Sequence, residues 1–325
     1  MRESEVIQRL RRIATAPEAR GLLDDVAVLD GYVISHDSIA EGVHFLPNDP
    51  PASVGWKLVA VNLSDLAAKG AEPAGALLSL TISGPSEWAL AFLGGIEAAC
   101  ESYGLPLLGG DTIALPVGAP RVLGMTVIGR GTSRVPHRGG AKAGDALWLV
   151  GTVGDAAAGL ALLAGDAKAT GALVDIYRRP VPQLSAGREL ARHVHAMMDV
   201  SDGLLLDCFR LAEASGCSAI IELDALPLSR AFVAERGQDL SARLFAASGG
   251  DDYALLAALP ATFDPETLSL PSGTRISRVG SLMKDGPKLG LLFGGEPVEL
   301  PEKLGFEHQS DQDCGLSASP MADRP

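Results

Sequence analysis

The chain has 325 residues, with 27 lysines and arginines against 40 acids, a net charge of −13, and 47% hydrophobic residues. This length predicts two domains, and the hydrophobic share is ample for their cores. The negative charge argues against broad binding to nucleic acid or to an anionic membrane, though not against a nucleotide, because metal ions invert the local sign.

The start, MRESEVIQRLRR, is charged and lacks an apolar stretch, so no signal peptide is expected. No run of about 18 apolar residues occurs, so no membrane span is expected. Residues 26–36 read as strands around a turn at Asp30-Gly31. Residues 53–69 read as a helix with Ser53 as N-cap and Gly70 as stop. A strand follows at 76–82, then a helix at 87–103 capped by Ser86 and ended by Gly104. LPLL and residues 121–129 add strands, and the polar, Gly-rich stretch 129–145 marks the junction between two halves.

The second half opens on the strand ALWLV, the turn GTVGD and the helix DAAAGLALLAG. Residues 183–194 read as helix, AMMDV as strand, SDG as turn, LLLDCFRLAEAS as amphipathic helix and SAIIEL as strand. ASGGDDYALLAAL repeats the theme of a glycine pair, acids and an apolar run. The tail from 309 to 325 is polar and predicts disorder. Cys100, Cys208, Cys217 and Cys314 lack CxxC spacing and read as free thiols in a reducing cytoplasm.

The informative pattern is where the acids stand. Asp24 and Asp25 lie in GLLDDVAVL, Asp37 follows an apolar strand, and Asp65 lies in VNLSDLAAKGA. Asp111 ends LPLLGGDT, and Asp199 and Asp202 lie in MMDVSDG. A buried carboxylate is costly unless it is paired or binds a metal. Several such acids with few bases point to hard divalent cations, with Mg²⁺ beside a phosphate substrate as the natural reading. On a helix Asn62 and Asp65 share a face, and Ser64 turns away from them.

Each motif also has a structural reading. GGDT would let backbone N–H groups approach an anion, or would be a turn with an Asx cap. Ser201 or Asp202 would N-cap the following helix, as would Asp155 in GTVGD. His44 would be a packed loop histidine, and Arg138 either a hinge charge or an anion contact. The usual P-loop, HExxH, GxSxG and GxGxxG are absent, and the six histidines show no metal-ligand spacing.

Taken in order, DSIAEGVHFLP, VNLSDLAAKGAEP, LLGGDT, GTVGDAAAGLALL, MMDVSDGLLLD, SGGDDYALL and GFEH resemble thiamine-monophosphate kinases, members of the aminoimidazole ribonucleotide synthetase and selenophosphate synthetase superfamily. The resemblance runs from about residue 5 to 308. It implies a two-domain α/β (α+β) fold with mixed sheets and packed helices. Residues 1–135 would bind ATP and Mg²⁺ and dimerise, and 136–308 would form the second domain. It also implies a cytoplasmic homodimer using ATP as co-substrate, several Mg²⁺ ions and thiamine monophosphate. By motif, Asp25, Asp37, Asp65, Asp111, Asp199 and Asp202 would ligate the metals, with Ser35 and His36 at neighbouring backbone positions. Gly110, Asp111, Arg138 and Ser201 would contact the nucleotide. His44, Asp251 and Phe306 would contact thiamine monophosphate.

The chain departs from the family pattern at several places. GIGDDAA is GLLDDVA, Ser/Thr-Thr-Asp is Ser35-His36-Asp37, and the usual Met after NLSDLAA is Lys69. GGEDYE is GGDDYA, and the terminal Tyr or Trp is Phe306. Two alternatives stay open at this point: another ATP-dependent small-molecule enzyme of the superfamily, and an inactive nucleotide- or metal-binding regulator. No catalytic base is expected, because a phosphate monoester with a second pKa of about 6 is already mostly a dianion at neutral pH.

Overall fold

The computed structural model describes residues 3–116 and 118–308, and the tail predicted to be disordered lies outside them. The first lobe runs α1 (Glu3–Leu10), β1 (Ala27–Leu29), β2 (Tyr32–Ala40), α2 (Pro51–Ala68), β3 (Glu72–Ile82), α3 (Ser86–Tyr103), β4 (Leu107–Ala114) and β5 (Val122–Arg130). Its sheet has the order β1-β2-β5-β3-β4, with β3 and β4 parallel and the other pairs antiparallel. Asp30 and Gly31 close the first hairpin with positive φ at both positions, which a two-residue turn of matching twist requires.

The second lobe runs β6 (Ala146–Val150), α4 (Asp155–Gly165), α5 (Ala172–Arg178), α6 (Leu184–Leu190), β7 (Ala196–Val200), α7 (Leu204–Ala214), β8 (Ser218–Glu222), α8 (Arg230–Arg236), α9 (Leu240–Ser248), β9 (Ala254–Leu259), β10 (Ile276–Met283), β11 (Leu289–Phe293) and β12 (Glu296–Val298). The sheet order is β12-β11-β8-β10-β6-β9-β7, mixed through the parallel pair β8 and β11. Both sheets are thus mixed and carry packed helices, the α+β architecture that the motif order implied. Among the described residues no helix is long and apolar enough to cross a membrane.

One contact between the lobes positions the site. β7 is the last strand of its sheet, yet all five of its residues are buried. The cover is α2, which leaves the first lobe and lies against β7 and α6. Its end, Ala67 and Ala68, joins an apolar cluster with Leu190, Met197, Leu255 and Leu259. The approach is close: a Cβ on Gly187 of α6 would run into the Ala67 carbonyl, and one on Gly95 of α3 into the Ala52 carbonyl. Backbone contact of this kind leaves α2 little freedom to slide.

Several cap expectations are corrected. Ser53 lies inside α2, whose N-cap is Pro50, and Pro51 supplies the preset φ of a first helical residue. Ser86 is the first residue of α3 and Pro85 the N-cap, with no side-chain capping bond in either helix. Gly104 does end α3, in the left-handed conformation. GGDT forms no turn: it lies within β4, whose eight residues are all exposed.

Candidate active site

The two lobes enclose a cleft of about 1020 Å³ lined by Asp24, Asp25, Asp37, Asp65, Asp199, Asp202 and Asp207. These acids come from the loop before β1, from β2, α2, the end of β7, the loop after it, and α7. One carboxylate oxygen from each of Asp25, Asp65 and Asp199 lies within 4.8 Å of the other two. Three elements from both lobes therefore converge on one point, and oxygen donors so placed suit a hard cation.

Local bonds hold each acid. Ser35 donates its hydroxyl to Asp65, and Ser64 donates to Asp199 at 2.7 Å. Ser64, which turns away from Asn62 and Asp65 on the helix, therefore faces β7 of the other lobe. Asn62 accepts the Asp37 N–H at 2.9 Å. Asp207, fully buried in α7, accepts the Asp202 N–H at 3.0 Å, and Arg210 pairs with both acids. The cap of α7 is Gly203, so neither Ser201 nor Asp202 serves in that role. The α4 terminus is handled from a distance: Asp252 accepts the Gly154 N–H at 2.7 Å, and Asp155 instead accepts the Thr152 hydroxyl.

The electrostatics are those of crowded anions. Burial, then the charges of Asp37 and Asp199, push Asp65 well above the usual carboxylate range. Burial chiefly, with the Asp37 charge, raises Asp199 to about 6. Burial and the Asp202 charge raise Asp37, and also Asp207, the latter to about 7. Asp24 goes the other way: burial opposes its ionisation, but Lys69 and then Arg20 outweigh burial and hold its pKa low. Like charges this close ionise together only when a cation joins them. Arg138 pairs with Asp25, yet its Nε is buried without a partner among the described residues, an orphan donor on a residue of the cleft wall. Crowded oxygen donors beside a guanidinium with one unpaired N–H fit a divalent metal with a phosphate-bearing ligand.

The far end of the cleft has different chemistry. His44 accepts the Ala40 N–H on Nδ1 at 3.0 Å, leaving Nε2 as its donor. Burial, then His308, lowers its pKa, so the ring is neutral. The His308 ring centre lies 5.2 Å from that of His44 and 4.9 Å from that of Phe306. Phe306 is held by its own N–H, which donates to the Asp202 carbonyl at 2.9 Å. Asp251 and Tyr253 both have positive φ, unusual for non-glycine residues. Lys57 secures them, donating to Asp251 at 2.8 Å and to the His44 carbonyl at 2.9 Å, while the Tyr253 hydroxyl donates to Asp251 at 2.9 Å.

The structure thus brings Asp25, Asp37, Asp65, Asp199, Asp202, Arg138, Ser201, His44, Asp251 and Phe306 to one cleft. Ser35 is buried just behind, on Asp65. His36 points to the opposite face of β2, exposed, against Thr126 and Ser38. Gly110 and Asp111 lie on the exposed β4 edge, outside the cleft of a single chain. The motifs alone did not reveal Asp207, Arg210 or His308 as parts of this cleft, or Lys57 and Lys69 as partners of its acids. The signal for the lysines was present: Lys57, Asp65 and Lys69 recur at multiples of four along α2 and its C-cap, where they are the charged residues of a buried helix.

Two family models match the chain, AIR synthase related protein N-terminal domain over residues 23–131 and its C-terminal domain over 142–263. A thiamine-monophosphate kinase of Caulobacter vibrioides is 36% identical, covering 94% of this chain and 90% of its own length. The chain belongs to the thiamine-monophosphate kinase family. It is an enzyme of the kinase class. Solved structures of the family share the fold. The structure described as "AaThiL complexed with AMPPCP and TMP" superposes with a TM-score of 0.82 at 28% identity, covering 95% of this chain and 97% of that one. A thiamine-monophosphate kinase from Stenotrophomonas maltophilia superposes with a TM-score of 0.71 at 34% identity, over 90% of this chain and 96% of the other.

Proposed function

We propose that this chain transfers the γ-phosphoryl group of ATP to thiamine monophosphate, giving ADP and thiamine diphosphate. The carrying observation is the convergence of Asp25, Asp65 and Asp199 within 4.8 Å in a cleft that also holds Arg138. A family structure complexed with AMPPCP and TMP supports the choice of substrates. The first lobe, residues 1–135, would carry most of the ATP and metal contacts, and 136–308 would complete the cleft.

Asp25, Asp37, Asp65, Asp199 and Asp202 would hold Mg²⁺, whose charge lowers the repulsion between two polyanionic phosphates. Arg138 supplies an unpaired donor for a phosphate oxygen. Ser201 also lines the cleft. His44 and Phe306 would face the thiamine rings, and Asp251 would lie at the same end, held by Lys57. No side chain needs to act as base, because the acceptor phosphate arrives ionised. Transfer is then direct and in line, with the acids as ligands and not as nucleophiles.

A homodimer would account for Gly110 and Asp111. β4 is an exposed sheet edge carrying Leu107, Leu108 and Ile113, beside exposed Leu77 and Ile82 of β3. Apolar edges of this kind demand cover. A second copy on this edge would bring Asp111 toward the nucleotide of the other subunit. Mixing inactive Asp65→Ala with inactive Asp111→Ala would then leave one intact site in each hybrid dimer and restore about a quarter of the native activity to a randomly mixed sample. No recovery would assign Asp111 to its own subunit.

The direct test measures ADP and thiamine diphosphate from ATP and thiamine monophosphate, with Mg²⁺ and with EDTA. Equal, metal-dependent formation of both products is expected. Failure where a known family member succeeds would overturn the substrate assignment.

A further inference from the structure

Lys69 is fully buried at the end of α2, behind the acid cluster. Its ammonium donates to Asp24 at 2.7 Å, to the Met197 carbonyl of β7 at 3.1 Å, and to Asp25 at 3.5 Å. Three protons thus meet three acceptors, which is the full capacity of a charged lysine. The contacts join three separate pieces: the loop before β1, the end of α2, and β7 of the second lobe. The two acids are not equivalent partners. Asp24 is fully buried and also paired with Arg20, so its charge is spent on structure. Asp25 opens on the cleft and shares the metal-ligand cluster with Asp65 and Asp199.

We propose that Lys69 is a fixed internal cation of this cluster that weakens its binding of a divalent metal until the nucleotide supplies further negative charge. The inference rests on the metal reading of Asp25, Asp65 and Asp199. A divalent ion shared by those oxygens would stand close to the ammonium, in a site that excludes water on the Lys69 side. Like-charge repulsion is strong at such separations and weakly screened in the interior. The same ammonium offsets the repulsion among the acids when the cleft is empty. A triphosphate adds anionic oxygens on the cleft side only, and metal and nucleotide therefore enter as mutually dependent ligands. Lys69 is a positioning residue, acting through Asp25 and out of reach of substrate.

The test is Mn²⁺ binding followed by the EPR signal of the free aqua ion, with the full-length chain, in the absence and presence of AMPPCP. Asp24→Asn with Lys69→Met removes the buried ammonium together with its nearest carboxylate and leaves Arg20 as the remaining charge of that group. Arg20 keeps the Val135 and Pro136 carbonyls as acceptors in that variant. Lys69→Gln is the second variant, neutral but still able to donate to Asp24 and Met197. Circular dichroism and thermal unfolding show which variants are folded. The expected result is that Mn²⁺ binds Lys69→Gln about tenfold more tightly than the native chain without nucleotide, that the double variant, which loses an anion with the cation, gains less, and that both gaps narrow with AMPPCP. Equal or weaker binding by folded variants would overturn the proposal while leaving the metal site intact. Absence of Mn²⁺ binding by the native chain and the variants alike, with and without AMPPCP, would overturn the metal reading itself.

Discussion

The two ends of the cleft are built on different principles. At the acid end Asp37, Asp65 and Asp199 sit on a strand, a helix and a strand, and each is fixed by a bond from another element. At the other end His44, Asp251 and Phe306 sit in loops, tied by Lys57 and by backbone bonds from Asp251 to Ser201 and from Phe306 to Asp202. Rigid elements suit ligands whose spacing must be kept to fractions of an ångström, while loops suit a pocket fitted to one molecule's shape. Local stress is likewise divided: crowded charge at the acid end, positive φ at Asp251 and Tyr253 at the other.

The sharpest break in this comparison comes from the acid end. Asp65→Asn or Asp202→Ala should lower kcat by at least about 10²-fold with circular dichroism unchanged. Because burial and the charges of Asp37 and Asp199 make ionisation of Asp65 costly, Asp65→Asn should also raise the melting temperature in EDTA. A variant that keeps near-native turnover removes that residue from the machinery.

The loop end should respond in a different parameter. Lys57→Met leaves Asp251 with Tyr253 as its remaining side-chain partner. KM for thiamine monophosphate should then rise about tenfold, as expected for losing a buried charged hydrogen bond worth about 1.5 kcal/mol or more. The nucleotide KM should hardly move. Equal changes in both would show that the two ends are not separable.

A pH series separates them again. Folded Asp199 titrates near 6 and Asp207 near 7, against 3.8 for an ordinary aspartate, chiefly through burial. Between those values the folded chain keeps protons that the unfolded chain has released. Their contribution to stability is therefore fully favourable below about pH 4 and is lost as the pH rises through 6 to 7. The melting temperature in EDTA should climb when the pH is lowered from 8 to 5.5. With saturating Mg²⁺ the gain should shrink, because protons compete with the ion for the same oxygens. The Asp24 pair plays no part in this window, since its pKa is lowered. A flat profile in EDTA would mean that these acids are not crowded in solution. The smallest effect is expected at Phe306, which is half-exposed and held through its own backbone. Phe306→Leu should change KM for thiamine monophosphate by a few-fold and leave the melting temperature alone.

Much of this site was legible before folding. Asp25, Asp65, Asp199 and Asp202 stand in loops, near a strand end or on a largely apolar helix, where a solvated carboxylate has no reason to be, whereas Asp37, read as following a strand, lies within β2. The helix and strand periods, the Asp-Gly hairpin and the Gly104 stop are local properties, decided by backbone dihedrals and the alternation of apolar residues. The cap readings at Ser53 and Ser86 failed because proline at a helix start fixes the same φ that a capping side chain would select.

What tertiary structure alone decided is everything that depends on α2 covering β7. That contact makes Ser64 a partner of Asp199, buries Lys57 and Lys69, and brings acids of both lobes within 4.8 Å. It also separates the exposed β4 edge, with Gly110 and Asp111, from the cleft of the same chain. A charge on an apolar helix reads identically in sequence whether the helix faces water or another lobe. Only the docking of distant surfaces, a nonlocal balance of apolar burial against the cost of buried charge, determines which of the two the chain adopts.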